Sequence, residues 1–196
     1  MTQRTTFTRE MVVEAAFALT RQSGWSNVTA RTIAQKLGSS TMPLYSSLKS
    51  MVEIEKEVRK KGQELMQEYQ RRPFAEERLL SSAIGYVVFA RDEPNLFRFL
   101  FVDRPVVVED SRELGQARDV RDLGGVVDLA DQASTALQDP LVLKSWIFTH
   151  GLASLISGGV IDLTNERISE LLIDAGTGFY LLAELQRKNK KEEKNE

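Results

Sequence analysis

Apolar side chains recur at helical spacing along most of the chain, and no segment alternates cleanly enough to pair as strands. Met11, Val12, Ala15, Ala16 and Leu19 share one face of a first helix. Thr8 is placed to cap it, Phe7 and Val12 are spaced as a hydrophobic staple, and Ser23-Gly24 ends it. A second helix carries Ile33, Ala34 and Leu37, with Thr29 as its cap and Gly38 as the left-handed residue that closes it. Ser40 then caps a third, short helix with Pro43 in its first turn, where a missing N–H costs nothing. The pattern predicts a fourth helix from about Ser50 to Gln70, ending before Pro73. Its apolar positions are Val52, Ile54, Val58, Leu65 and Met66, and charges cover most of its circumference, as in a helix that connects two bodies.

A fifth helix is predicted from about Ala75 to Arg91 and a short sixth over 94–101, with Pro94 near its start. Residues 102–122 carry little pattern; a strand at Val106–Val108 would lack a partner. Helix resumes from about Leu123 to Leu137, and Asp139-Pro140 opens a further one in cap-then-first-turn order that runs to Ser157-Gly158-Gly159. The last helix is predicted from near Thr164 to about Lys188. One of its stripes holds Ile168, Leu171, Leu172, Ala175, Phe179 and Leu182, and another holds Ile173, Tyr180 and Leu181, with Gly176 and Gly178 permitting close approach. The final RKNKKEEKNE has no apolar residue and is expected to fray. The fold class is all-α.

Charge changes the picture at one end. Residues 1–50 hold six basic side chains (Arg4, Arg9, Arg21, Arg31, Lys36, Lys49) against two acids, while the rest of the chain is net acidic and the whole carries −2. A basic head on an acidic body suits phosphate binding at one end. The absence of cysteine excludes disulfides, thiolate metal sites and cysteine nucleophiles. One histidine, no phosphate-binding glycine loop and no metal-ligand spacing argue against an enzyme, a metal site or a cofactor. With no signal-like apolar segment near Met1 and no bilayer-length apolar run, a cytoplasmic protein is expected.

The second and third helices form a helix–turn–helix spacing, which lays its second helix in the major groove of DNA. With Leu44 at the centre of the buried side, Met42, Ser46 and Lys49 fall together on the outer arc, flanked by Thr41 and Tyr45. Thr41 and Ser46 are suited to base edges or phosphate, and Met42 to a thymine methyl. Tyr45 and Lys49 suit phosphate, as do Thr29 and Arg31 at the start of the preceding helix. The candidate DNA interface is therefore Thr29, Arg31, Ser40, Thr41, Met42, Pro43, Tyr45, Ser46 and Lys49.

Residues 8–58 resemble the DNA-binding domain of the tetracycline-repressor (TetR) family. The features that carry the resemblance are a first helix ending in Gly24, then Val28-Thr29, Ile33-Ala34, Leu37-Gly38, Ser40 and Leu44-Tyr45. Ser47-Leu48 and Met51 depart from the family's usual aromatic pair and lysine. Trp146 to Gly151, WIFTHG, resembles the Trp…His-Gly (WHG) signature of a C-terminal domain in one TetR subgroup. The resemblance implies a helix-turn-helix domain over 1–50, a helical effector-binding and dimerisation domain over 51–188, and a homodimer; the charged composition of the end leaves a disordered tail over 189–196. It implies that Thr29, Thr41, Tyr45, Ser46 and Lys49 sit where family members contact DNA.

Trp146 and His150 lie four residues apart and so share a helix face. Either they line an effector pocket, or Trp146 fills the core and His150 bonds to a backbone carbonyl. Phe89, Phe97 and Phe101 are further effector-binding candidates, again with core packing as the alternative. No charge cluster stands on an apolar face, which favours a small, largely apolar effector. The expected function is a homodimeric transcriptional regulator, a repressor released from operator DNA by that effector. The competing class is a helical ligand sensor or protein-binding adaptor that does not bind DNA.

Overall fold

The computed structural model describes residues 7–38, 50–103 and 139–192. Every regular element among them is helical: α1 Arg9–Ser23, a 3-10 turn Trp25–Asn27, α2 Ala30–Lys36, α3 Met51–Arg71, α4 Arg78–Asp92, α5 Pro94–Phe101, α6 Pro140–Ser157 and α7 Asn165–Glu192. The chain is all-α in these residues. The expected third helix with Ser40 and Pro43, the strand considered at Val106–Val108 and the helix expected over 123–137 lie outside the described residues.

The described residues divide into two compact units. One holds residues up to Leu65 together with Glu93 and α5; the other holds Met66–Asp92, α6 and α7. The division runs through α3 and between α4 and α5, whereas the sequence reading parted the chain at residue 50. What draws α5 to the first unit is its packing on α1, a contact between residues far apart in sequence that local pattern does not report.

In the first unit Thr8 caps α1, its Oγ1 accepting from Met11 N at 3.3 Å, and the staple residues Phe7 and Val12 are both buried. Gly24, at φ +81°, turns the chain out of α1. Thr29 opens α2 with a reciprocal cap: its Oγ1 accepts from Thr32 N at 3.1 Å while Thr32 Oγ1 accepts from Thr29 N at 2.9 Å. Val12, Ala16, Phe17, Ile33, Ala34, Ile54, Val58, Leu96, Phe97 and Phe99 supply the buried apolar surface. Polar clamps fix α5 at both ends. The Glu93 carboxylate, buried at its N-terminus, pairs with Arg21, whose Nε donates at 2.8 Å, and Asn95 Nδ2 donates to Arg21 O at 2.9 Å. At the other end Arg59 Nη1 donates to the carbonyls of Phe99 and Leu100, each at 3.2 Å, with its guanidinium 4.4 Å from the Phe99 ring centre.

In the second unit α4, α6 and α7 pack on one another. α4 begins at Arg78 rather than near Ala75, because the Ser81 hydroxyl draws the preceding chain into a turn. Ser81 Oγ donates to Arg72 O at 2.9 Å and accepts from Phe74 N at 2.9 Å. Asp139 caps α6 by accepting from Leu141 N at 2.8 Å. α7 runs to Glu192, past Lys188 and into the run expected to fray. Its Arg, Lys and Gln residues are good helix formers, Arg187 pairs with Glu184 at 2.8 Å, and cations suit a helix C-terminus. No described helix is long and apolar enough to cross a membrane.

Ile168 and Leu172 of the first expected α7 stripe are buried, whereas Leu182 of that stripe stays 44% exposed. Ile173, Tyr180 and Leu181 of the second stripe are exposed too, as are Ile147 and Leu155 on α6. Ile147, Gly151 and Leu155 follow at four-residue spacing and so share one exposed face of α6.

Candidate functional site

Of the candidate DNA-contacting residues, Thr29 and Arg31 are described, and both are exposed at the opening of α2. The Thr29 hydroxyl already serves the cap, so a phosphate there would share it with Thr32 N. α2 buries Ile33 and Ala34 and leaves Arg31, Gln35 and Lys36 to solvent. It ends in Leu37 and Gly38, the latter at φ +67° with no heavy atom within 4 Å of where a Cβ would stand. That glycine is required by backbone conformation, not by crowding. Ser40, Thr41, Met42, Pro43, Tyr45, Ser46 and Lys49 lie outside the described residues.

The effector candidates lie on three helices, α4, α5 and α6. Phe89 is fully buried on α4, edge-on to Tyr69 at 5.6 Å. Phe97 and Phe101 belong to α5 in the other unit, their rings 5.1 Å apart. Trp146 and His150 come together on α6: both are half-buried, and their rings stack at 5.3 Å and 15°. Thr149 beside them is buried, its hydroxyl donated back to Ser145 O at 2.8 Å. Phe148 on the same helix meets Phe179 of α7 edge-on at 6.4 Å.

Tyr86 of α4 completes the aromatic group and was missed by sequence reasoning. Its ring is fully buried, its hydroxyl lies 2.9 Å from His150 Nδ1, and the two rings stand 6.3 Å apart. The available signal was a tyrosine inside the apolar run from Ile84 to Ala90, since a buried phenol must find a hydrogen-bond partner. Burial pushes the Tyr86 phenol well above its ordinary range, so it stays protonated.

Burial also lowers the His150 pKa from the ordinary 6.5. The unfolded chain then takes up the proton more readily than the folded one, so this contribution to stability is full above pH 6.5 and is lost as pH falls through the lower folded value. Urea unfolding at about pH 7.5 and about pH 5.5 should show a lower midpoint at the acid end, and His150→Gln should flatten that difference. An identical pH response in His150→Gln would assign the effect to carboxylates instead.

No protein-family model matches the chain, and no curated protein matches it. Its reading rests on its own residues. An open cleft of about 500 Å³ lies before α7, lined by Arg91, Asp162, Leu163, Thr164, Asn165 and Glu166. Its groups largely serve each other: Arg91 donates to Leu163 O at 3.2 Å and to Asn165 Oδ1 at 2.9 Å, and Thr164 Oγ1 accepts from Arg167 N at 3.3 Å. These are the turn and cap that open α7.

Proposed function

We propose that this chain is a homodimeric DNA-binding transcriptional regulator of the TetR type, a repressor released from its operator by a small, largely apolar effector. The observation that carries the reading is the left-handed Gly38 ending an α2 that opens with the reciprocal Thr29–Thr32 cap. A helix–turn–helix needs its tight turn at that place, and the candidate groove-facing residues follow it directly. The exposed apolar positions of α6 and α7 support a second copy as partner, because Ile147, Leu155, Ile173, Tyr180 and Leu181 would each gain by leaving water. In such a dimer the two recognition helices would enter major grooves about 34–36 Å apart or a multiple of that. Trp146 and His150 are the effector-facing pair in this reading. DNA and effector then select different separations of the two heads, and each weakens the other's binding by the same factor.

The test is gel-shift titration of the full chain against the promoter region beside its own gene, repeated over a range of salt. Lys49→Ala should weaken binding across sequences and lower the salt slope by about one. Binding by the parent chain with an unchanged slope in Lys49→Ala would displace Lys49 from the interface. No salt-dependent binding by the parent chain would favour the adaptor class.

A further inference from the structure

Among the described residues one buried side-chain polar atom has no hydrogen-bond partner: Nε2 of Gln70, in the last turn of α3. Other buried polar side chains in both units are served. Thr20 Oγ1 donates to Ala16 O, Ser81 Oγ to Arg72 O, Thr149 Oγ1 to Ser145 O and Ser157 Oγ to Ser154 O, and the Glu93 carboxylate pairs with Arg21. Gln70 is 8% exposed, so Nε2 has given up water without regaining a bond, a loss that folded chains rarely accept.

The helix holds this amide in place. The backbone of Tyr69 and Gln70 lies against Gly85 of α4 so closely that a Cβ there would stand 2.8 Å from Gln70 Cα. Two residues on, Arg72 O accepts from Ser81 Oγ at 2.9 Å and from Phe74 N at 3.0 Å, which pins the exit of α3 as well. Met66, one turn back on the same face, is fully buried. Packing alone would favour a side chain like that of Met66 at position 70, since it has similar length and no strong polar group to satisfy. A firmly held amide in its stead marks a position suited to hydrogen-bonding something.

We propose that Gln70 Nε2 is the donor of a buried subsite that takes a neutral acceptor oxygen from outside the chain. The amide is uncharged and offers an N–H, so it matches a carbonyl, ether or water oxygen. A carboxylate brought there would lose the hydration of a full charge, which one neutral donor does not offset. The oxygen comes from a bound water or from the effector, and in the second case the subsite rests on the effector reading of the preceding subsection. Gln70 is then a specificity-determining residue. A molecule carrying the oxygen is bound in preference to a hydrocarbon of the same shape, because the hydrocarbon leaves Nε2 unpaired.

The side-chain amide signals of the ¹⁵N-labelled full chain decide the matter. The Gln70 pair is assigned by its loss in Gln70→Met or, if that variant does not fold, by through-bond correlation to the Gln70 backbone. One of its protons should show a nuclear Overhauser effect to a long-lived water. Titration with cyclohexanone, against cyclohexane as the hydrocarbon of like shape, then separates the two sources. A water contact that the ketone leaves unchanged assigns the oxygen to water and upholds the subsite without the effector. If the ketone removes that contact and moves the proton downfield while cyclohexane does neither, the oxygen is the effector's. Cyclohexanone should then bind the parent chain about fivefold tighter than Gln70→Met. An amide with no water contact and no response to the ketone overturns the proposal. Failure of the chain to bind DNA would sink the regulator reading but not this one, because the amide is read directly.

Discussion

Gly85→Ala should destabilise the second unit by about 3 kcal/mol, although alanine is the better helix former by about 1 kcal/mol. The reason is the closeness of α3 to α4. A Cβ at Gly85 would stand 2.8 Å from Tyr69 C and from Gln70 Cα and would also overlap Tyr69 O. These are backbone atoms, so no side-chain rotation relieves the clash; the helices must part, and Tyr69 and Phe89, whose rings meet at 5.6 Å across the same contact, lose packing with them. For a chain of this length the melting temperature should fall by about 10 °C. Gly62→Ala is the contrast. Gly62 is also helical and buried, but its nearest neighbours are Leu100 Cδ1 and Cδ2 at 3.4 Å, flexible side-chain ends at ordinary contact. That substitution should be neutral or stabilising by up to about 1 kcal/mol. Calorimetric melts of both variants decide the matter, and equal effects would show that backbone crowding at Gly85 is not what sets its cost.

The second large effect is expected from Phe99→Ala in the first unit. Phe99 is 2% exposed, its ring lies 5.1 Å from Trp25, and the Arg59 guanidinium stands 4.4 Å from its centre. Truncation leaves a cavity costing about 3–5 kcal/mol and removes a cation–π contact of about 0.5–1 kcal/mol. That approaches the total stability of many domains, about 5–15 kcal/mol. The chain has two tryptophans, Trp25 in the first unit and Trp146 in the second, so Trp146→Phe leaves one indole that reports the first unit. In that background Phe99→Ala should move the Trp25 fluorescence transition to much lower urea, and Phe99→Leu should fall between. A transition within about 1 kcal/mol of the parent would mean the cavity closes by collapse of its neighbours.

These two positions illustrate how far pattern alone reaches. The caps at Thr8, Thr29 and Asp139 and the left-handed Gly38 were legible because each is a local matter, decided by a side chain reaching the backbone two or three residues away or by a φ that L residues avoid. Helix limits failed where a distant or unpatterned partner intervened, as when Ser81 drew residues 72–75 into a turn and delayed α4 to Arg78. At the candidate effector site the pairing of Trp146 with His150 followed from helical spacing on α6. The partner of Phe89, Tyr69 of α3, did not follow, since aromatic residues on different helices carry no mark of which neighbour they meet.

By itself the sequence determined the all-α class, the order of the described helices, their caps and the exposed stripe of α7, because helix periodicity and capping are short-range physics. The tertiary structure alone decided that α5 packs with α1, that Gly85 lies against the α3 backbone and that Tyr86 meets His150. Each joins residues at least 15 positions apart in the chain. Such pairs form only when whole helix faces dock, and docking depends on the fit of surfaces that no short window of sequence contains.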